Sequence, residues 1–212
     1  MKSSPETWDV KLLDLIHGDV EDARVWLKGK DTQSHRRAFI RAVFAAIEGT
    51  LYIMRTDVLK SIQKGEYPQP VGDVSLLNEE SYSLDQQRLK ANVSPRFIPL
   101  SVMLRYTIKH FTQVHGIEFN IDTMKPGWQA FLRAIDTRNR ITHPKKPDQF
   151  LVSDPSLRDT QTAYKWFFTI YGAIHESILK DLKVQEEQLK VQLGGLRKEI
   201  NPEPPGMSRV RP

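Results

Sequence analysis

The side chains best suited to chemistry lie in a short basic segment at residues 138–144, which has the sequence RNRITHP. Histidine has an unperturbed pKa of about 6.5, so His143 can accept or donate a proton near neutral pH. Arg138 stays protonated, and its planar fork matches the oxygens of a phosphate group. On a helix, Asn139 lies four residues before His143 on the same face, where it can orient the imidazole or bind a phosphate oxygen. Arg138, Asn139 and His143 are therefore the candidate catalytic residues for proton transfer at a phosphate.

Several other chemistries are excluded by what the sequence lacks. Cysteine is absent, so there is no disulfide framework, no thiolate metal site and no cysteine nucleophile. The phosphate-binding glycine loop, the dinucleotide fingerprint, the paired-histidine zinc motif and the nucleophile elbow do not occur. His110 and His115 are five residues apart, which is a poor spacing for joint metal binding. We therefore expect neither a bound metal nor a cofactor.

Composition is typical of a globular protein with a polyanionic partner. The chain has 212 residues, of which 39% are hydrophobic and 27% charged, enough for one domain with a sizeable core. No apolar run approaches the roughly 20 residues that cross a bilayer, and residues 1–8 lack the apolar core of a signal peptide. We therefore expect a cytoplasmic protein without membrane contact. The net charge of +5 favours RNA or DNA as a partner.

The elements that must position the basic segment are helices. A first helix is predicted from Ser4-Pro5 to Gly29. A second, capped by Asp31 or Thr32, has an apolar stripe at three- and four-residue steps over about 30 residues and ends at Gly65. Its length is typical of a scaffold that spans a whole domain.

The basic segment itself is predicted to end a helix. One helix follows Pro99 and closes at Gly116, and the next begins near Pro126-Gly127 and continues into the basic segment. Pro144 disfavours helical geometry at His143, so the helix should end there. A last helix is predicted to begin at Asp154, as its cap, with Pro155 in its first turn. Gly194-Gly195 is predicted to stop it.

The remaining segments give weaker signals. Residues 66–98 form a long excursion that contains Pro68, Pro70 and Gly72, with a possible short helix over 81–90 and no convincing strand. Residues 194–212 are predicted to be a disordered, basic, proline-rich tail. The sequence thus predicts an all-α helical bundle, with one domain at 1–193 and the tail after it.

The order of helices and the basic motif together resemble the HEPN superfamily of helical nucleotide-binding and ribonuclease domains. The signature of that superfamily is an arginine, commonly followed by a polar residue, and then a histidine (R-x4-6-H), at a helix end just before the final long helix. Here four residues separate Arg138 from His143, Asn139 follows the arginine, and a long helix starts at Pro155. The resemblance covers about residues 31–193, as an order of elements plus one motif.

The resemblance implies a metal-independent endoribonuclease, of the kind that acts as a toxin or antiviral effector, that cleaves RNA by attack of the 2′-OH. It also implies a homodimer in which two clusters line one basic cleft, where Arg140, Lys145 and Lys146 bind the RNA backbone. A cognate antitoxin or other operon partner is a further expected partner. One position departs from the pattern: many toxins of the superfamily carry tyrosine two residues after the histidine, and here that residue is Lys145.

Three local features allow other interpretations. Arg105 and His110 form a second match to the same spacing, but they lie inside a regular helix, about 140° apart around its axis. Glu48, on the long second helix, either faces the basic segment or is a solvated or paired surface glutamate. Three aromatic residues are able to stack on bases: Trp128, Trp166 and Phe167. Their helical spacing favours a position in the packed core instead.

A second hypothesis for function is a non-catalytic helical module that dimerises or binds a partner or a nucleotide. Its contact surface would be the polar end of the last helix, at residues 183–193. A DNA-binding regulator is a third interpretation, supported only by the basic charge, because no helix-turn-helix spacing is present.

Overall fold

The computed structural model describes residues 5–85 and 87–200, and the side chains of residues 10–85 and 87–193. The described part is mostly helical, which confirms the predicted all-α class. The elements are α1 Pro5–Gly29, α2 Gln33–Gln63, α3 Val71–Leu77, β1 Glu80–Asp85, β2 Lys90–Pro95, α4 Leu100–Val114, α5 Pro126–Thr142, a 3-10 turn at Pro147–Phe150, and α6 Asp154–Ile200. The predicted cap Ser4 and most of the predicted tail, 201–212, lie outside the described residues. No helix in the described ranges is long and apolar enough to cross a bilayer.

Helix α2 is the scaffold of the first compact unit of the chain, Met1–Tyr171. Of the two predicted caps, Asp31 and Thr32, it is Thr32 that caps the helix, because its side chain accepts a hydrogen bond from the His35 N–H at 3.1 Å. Gly65, just beyond its end, has a φ of 75°, which glycine adopts without steric cost. Its apolar stripe is buried in contact with α1, α4 and α5. The buried apolar residues of α2 are Phe39, Ile40, Val43, Phe44, Ala46, Ile47, Leu51, Met54 and Val58.

A β-hairpin replaces the short helix that was predicted over residues 81–90. Strands β1 and β2 pair in antiparallel register from Glu80 opposite Pro95 to Asp85 opposite Lys90. The turn lacks glycine, which removed the usual hairpin signal from the sequence. Instead, Asp85 Oδ1 accepts hydrogen bonds from the N–H groups of Gln87 and Arg88, both at 3.0 Å, and fixes the turn locally.

Both ends of α6 differ from the prediction. Ser153, not Asp154, caps the helix, because Ser153 Oγ accepts from the Ser156 N–H at 3.3 Å. Asp154 lies inside the helix and pairs with Arg36 at 2.7 Å. The predicted stop at Gly194-Gly195 is wrong, since α6 continues to Ile200. A glycine costs a helix only about 1 kcal/mol, which the flanking helix-forming residues offset. The second compact unit, Gly172–Pro212, begins within this helix.

Candidate active site

An open cleft of about 690 Å³ lies in the first unit, where α2, the end of α5, the start of α4 and the open end of the hairpin meet. Its volume is within the range of roughly 300–1,000 Å³ that is usual for ligand sites. The three candidate catalytic residues all line it, so the structure brings them together. The lining residues that carry a charge, an amide, an imidazole or an aromatic ring are Glu48, Arg55, Glu79, Phe97, Arg138, Asn139 and His143.

The Arg138 guanidinium is held in place from two sides. Its Nη2 forms an ion pair with Glu48 on α2, and its Nη1 donates to Asn139 Oδ1 at 3.1 Å. Its Cζ lies 6.0 Å from the centre of the Phe44 ring, at the limit of a cation–π contact. The contacts with Glu48 and Asn139 use two of the five N–H donors that a guanidinium carries. The side chain is 29% exposed, so its charge is fixed at the cleft wall and still accessible.

Glu48 is paired with Arg138 inside the cleft, which decides between the two interpretations that the sequence left open. Partial burial raises the pKa of the Glu48 carboxyl above its ordinary value. The charge on Arg138 acts against this rise, whereas the nearby Glu79 carboxylate adds to it. An anion that enters the cleft would therefore compete with Glu48 for Arg138, and Glu48 can take up a proton more readily than a solvated glutamate.

His143 lies one residue beyond the end of α5, as Pro144 predicted. Its backbone N–H still donates to the Asn139 carbonyl at 3.0 Å, but its φ of −124° and ψ of 58° depart from helical geometry. The residue is exposed, and it lines the same cleft as Arg138. The break at the helix end thus leaves His143 exposed at the cleft.

The three flanking cations that were predicted to bind RNA lie outside the cleft lining. Arg140 Nη1 donates to the carbonyl oxygens of Gln149 and Leu151, both at 2.8 Å, and so attaches the 3-10 turn to α5. Lys145 and Lys146 are exposed on the loop that follows His143. The geometry therefore gives Arg140 a structural contact and places the two lysines beside the cleft rather than in it.

The second match to the motif does not form a comparable site. Arg105 is exposed on α4, whereas His110 is buried and bonds through Nδ1 to the Tyr67 hydroxyl at 3.1 Å. Trp128 and Phe167 are buried, and Trp166 is partly buried against Trp128. The aromatic residues thus belong to the packed interior, as their spacing favoured.

Three further residues of the site were not predicted from the sequence: Arg55, Glu79 and Phe97. Arg55 on α2 pairs with Glu79 through Nη1 and Oε2, 2.7 Å apart. Glu79 and Phe97 flank the hairpin, and the hairpin itself was not predicted. The only signal available was the apolar run Phe97-Ile98 immediately before Pro99 and α4.

Comparison of the chain with protein-family models, curated proteins and solved structures found no match. Among the described side chains, at residues 10–85 and 87–193, no three histidines or carboxylates converge in a way that would hold a metal ion. The cleft and its side chains are therefore the basis for proposing a function.

Proposed function

We propose that this protein is a metal-independent endoribonuclease of the HEPN type, with Arg138, Asn139 and His143 as its catalytic residues. One observation carries the proposal: a partly exposed guanidinium and an exposed imidazole line one open cleft at a helix break. Neither is buried in a packed core, and the two do not point to different surfaces.

The reaction needs no metal, because the nucleophile is part of the RNA. The 2′-oxygen attacks the adjacent phosphorus, the P–O5′ bond breaks, and the products are a 2′,3′-cyclic phosphate and a 5′-hydroxyl. A base must take the proton of the 2′-OH and an acid must supply one to the 5′-oxygen, which is work suited to an imidazole. Arg138 stabilises the charge that develops on the non-bridging oxygens. Glu48 positions Arg138, and Asn139 holds the same guanidinium through its side-chain oxygen.

The direct test is incubation of end-labelled single-stranded RNA with the purified full chain in excess EDTA. We expect cleavage, and we expect His143→Ala to lower its rate by about 10²- to 10⁴-fold, the usual contribution of a general acid or base. His35→Ala is the matched control, since His35 lies at the start of α2 and bonds to the Lys30 carbonyl, away from the cleft. Cleavage that survives His143→Ala in a folded protein removes the catalytic assignment.

The exposed apolar side chains of the second unit support self-association. A dimer is expected both for the nuclease and for the non-catalytic module. Six large apolar side chains on its helix are at least half exposed, and a surface of this kind is typical of a contact with another helix. Leu182 and Leu189 are separated by one heptad. The six residues are Leu179, Leu182, Val184, Leu189, Val191 and Leu193.

Sedimentation equilibrium tests this part of the proposal. We expect a mass of twice the 24.5 kDa chain, and the double variant Leu182→Glu/Leu189→Glu should shift it to the monomer. A matched double variant at Lys183 and Lys190, on other faces of the same helix, should remain dimeric. A dimer that never cuts RNA would support the non-catalytic module. A protein that is monomeric at all concentrations would reject self-association, for the nuclease and for the non-catalytic module alike.

The cellular role that fits this activity is a toxin or defence effector held in check by a cognate partner. Induced expression of the wild-type chain should slow growth and fragment cellular RNA, whereas induction of His143→Ala should do neither. Growth arrest by both proteins would point to a different cause.

A further inference from the structure

The open end of the hairpin brings two residues that are distant in the sequence to the same side of the cleft. The Arg96 N–H donates to the Glu79 carbonyl at 2.6 Å, which extends the strand pairing one step beyond Glu80 and Pro95. Phe97 follows Arg96, so Glu79 and Phe97 occupy neighbouring positions at the hairpin base. Both line the cleft that contains Arg138 and His143.

Phe97 has an environment that is unusual for its side chain. It is 90% exposed, although it lines a cleft between well-packed helices. Leaving a phenylalanine ring in water is unfavourable, and a flat ring at a cleft wall is a surface on which a nucleobase can stack. Pro99, two residues later, starts α4 and restricts the backbone that carries the ring.

Contacts with Arg55 and Arg96 orient Glu79. Its Oε2 pairs with Arg55 Nη1 at 2.7 Å, and Arg55 is only 13% exposed whereas Glu79 is 42% exposed. Its backbone has a φ of 55°, a left-handed conformation that non-glycine residues rarely adopt. The Arg96 hydrogen bond and the ion pair hold it there. Its carboxylate therefore has a defined direction and an accessible edge at the cleft.

We propose that Phe97 and Glu79 form a base subsite that selects guanine. Guanine presents two adjacent N–H donors, N1–H and N2–H₂, that a carboxylate can accept together. Adenine and cytosine place a ring nitrogen lone pair beside their amino group, and uracil flanks its single N3–H with two carbonyl oxygens, so each would place an acceptor against the carboxylate. Phe97 stacks on the base face, Glu79 reads its edge, and Arg55 is the positioning residue for Glu79.

The neighbouring carboxylate is not equivalent. Glu48 is paired directly with Arg138, the residue assigned to the phosphate, whereas Glu79 lies on the side of the cleft formed by the hairpin. The cleft thus has one arginine–glutamate pair for the phosphate and a second for the base. The proposal that this base belongs to an RNA being cut depends on the proposed ribonuclease function, whereas guanine binding by itself does not.

Binding of mononucleotides to the full chain tests the subsite without cleavage. We expect GMP to bind at least tenfold more tightly than AMP, CMP or UMP in calorimetric titrations, because each of the others leaves a carboxylate acceptor facing an acceptor. Phe97→Ala should weaken GMP by about tenfold or more through loss of stacking. Glu79→Gln should bring GMP to the level of AMP. Glu80→Gln and Tyr82→Ala, on the same hairpin but outside the cleft lining, should bind as the wild type does.

Mapping of cut sites on an RNA of mixed sequence separates this inference from the proposed function. We expect the wild type to cut next to guanines, and Glu79→Gln to reduce the ratio of cuts at guanine to cuts elsewhere to about one. Selective GMP binding without any RNA cleavage would keep the guanine subsite and reject the nuclease. Cleavage without base preference, together with equal affinity for all four nucleotides, would reject the subsite and keep the nuclease. Equal binding of the four nucleotides overturns the inference even if Glu79→Gln fails to fold.

Discussion

The two ends of α5 are built on different physical principles. Near its start, Gly127, Trp128 and Phe131 pack against Trp166 of α6, with the Trp128 and Phe131 rings 5.7 and 5.5 Å from the Trp166 ring. Near its end, Arg138 and His143 line an open cleft, and charge pairing rather than packing holds the guanidinium. Substitutions at the packed end should therefore destabilise the fold, whereas substitutions at the cleft end should mainly reduce activity.

The packed end has no spare volume. A Cβ placed on Gly127 would lie 2.2 Å from Trp166 Cδ1 and 2.8 Å from its Cβ, so the close contact involves the root of that side chain and not a flexible tip. The cleft end is the opposite case, because its side chains border about 690 Å³ of open space. Substitutions at the two ends should therefore separate stability from activity.

The largest effect is expected at the cleft end. Arg138→Ala removes the donors for the phosphate and leaves Glu48 unpaired, so RNA cleavage should fall by about 10²- to 10³-fold. Arg138→Lys should restore little of it, since an ammonium cannot reproduce the two-pronged contact. Arg140→Ala is the informative control: it loses hydrogen bonds to two backbone carbonyls, and should lower the melting temperature while cleavage continues. Equal losses of activity in the two alanine variants would contradict the division between them.

A change at the packed end should do the reverse. Gly127→Ala should destabilise the fold by about 1–3 kcal/mol, the usual cost of overpacking, without altering the cleavage rate well below the melting temperature. Gly18→Ala provides the comparison, because that glycine lies in α1 with no atom near its added Cβ. It should stabilise the protein by about 0.5–1 kcal/mol. Urea unfolding curves measure both, and a neutral Gly127→Ala would show that Trp166 moves freely.

A smaller effect concerns the buried histidine of α4, His110, and the pH dependence of stability. Burial lowers the pKa of His110 below its ordinary value, and its buried Nε2 has no hydrogen-bond partner among the described residues. The unfolded chain therefore binds a proton more readily, so stability should be full above about pH 6.5 and decline as the pH falls further. His110→Gln, which removes the titrating imidazole, should flatten this decline. An unchanged slope in His110→Gln would assign the pH dependence to other groups.

The structural features that could be predicted from the sequence are those that depend on residues a few positions apart. Thr32 and Gly65 bound α2 through short-range caps, and Pro144 ends α5 through its effect on the residue before it, so these features were predictable. The hairpin was not, because its turn depends on Asp85 side-chain contacts instead of a glycine. Ser153, the neighbour of the predicted cap, accepts the capping hydrogen bond, and Asp154 instead pairs with Arg36, more than a hundred residues away in the sequence.

The candidate site likewise contains residues that the sequence predicted and residues that it did not. Arg138, Asn139 and His143 are neighbours in the sequence and were found from their spacing. Pairing of Glu48 with Arg138, and the arrival of Arg55, Glu79 and Phe97 in the same cleft, require the packing of α2 and the hairpin against α5. Sequence spacing carries no information on contacts of that kind.

The chemical groups at the ends of the cleaved RNA show whether the site works through the 2′-OH. A single-stranded RNA, and the same strand with 2′-deoxy sugars throughout, should be incubated with the full chain in excess EDTA, and the products analysed by mass spectrometry. We expect the RNA to give 2′,3′-cyclic phosphates and 5′-hydroxyls, and the deoxy strand to stay intact because it lacks the attacking group. Cleavage of both strands, or RNA products with 5′-phosphates, would contradict a site that works through the 2′-OH.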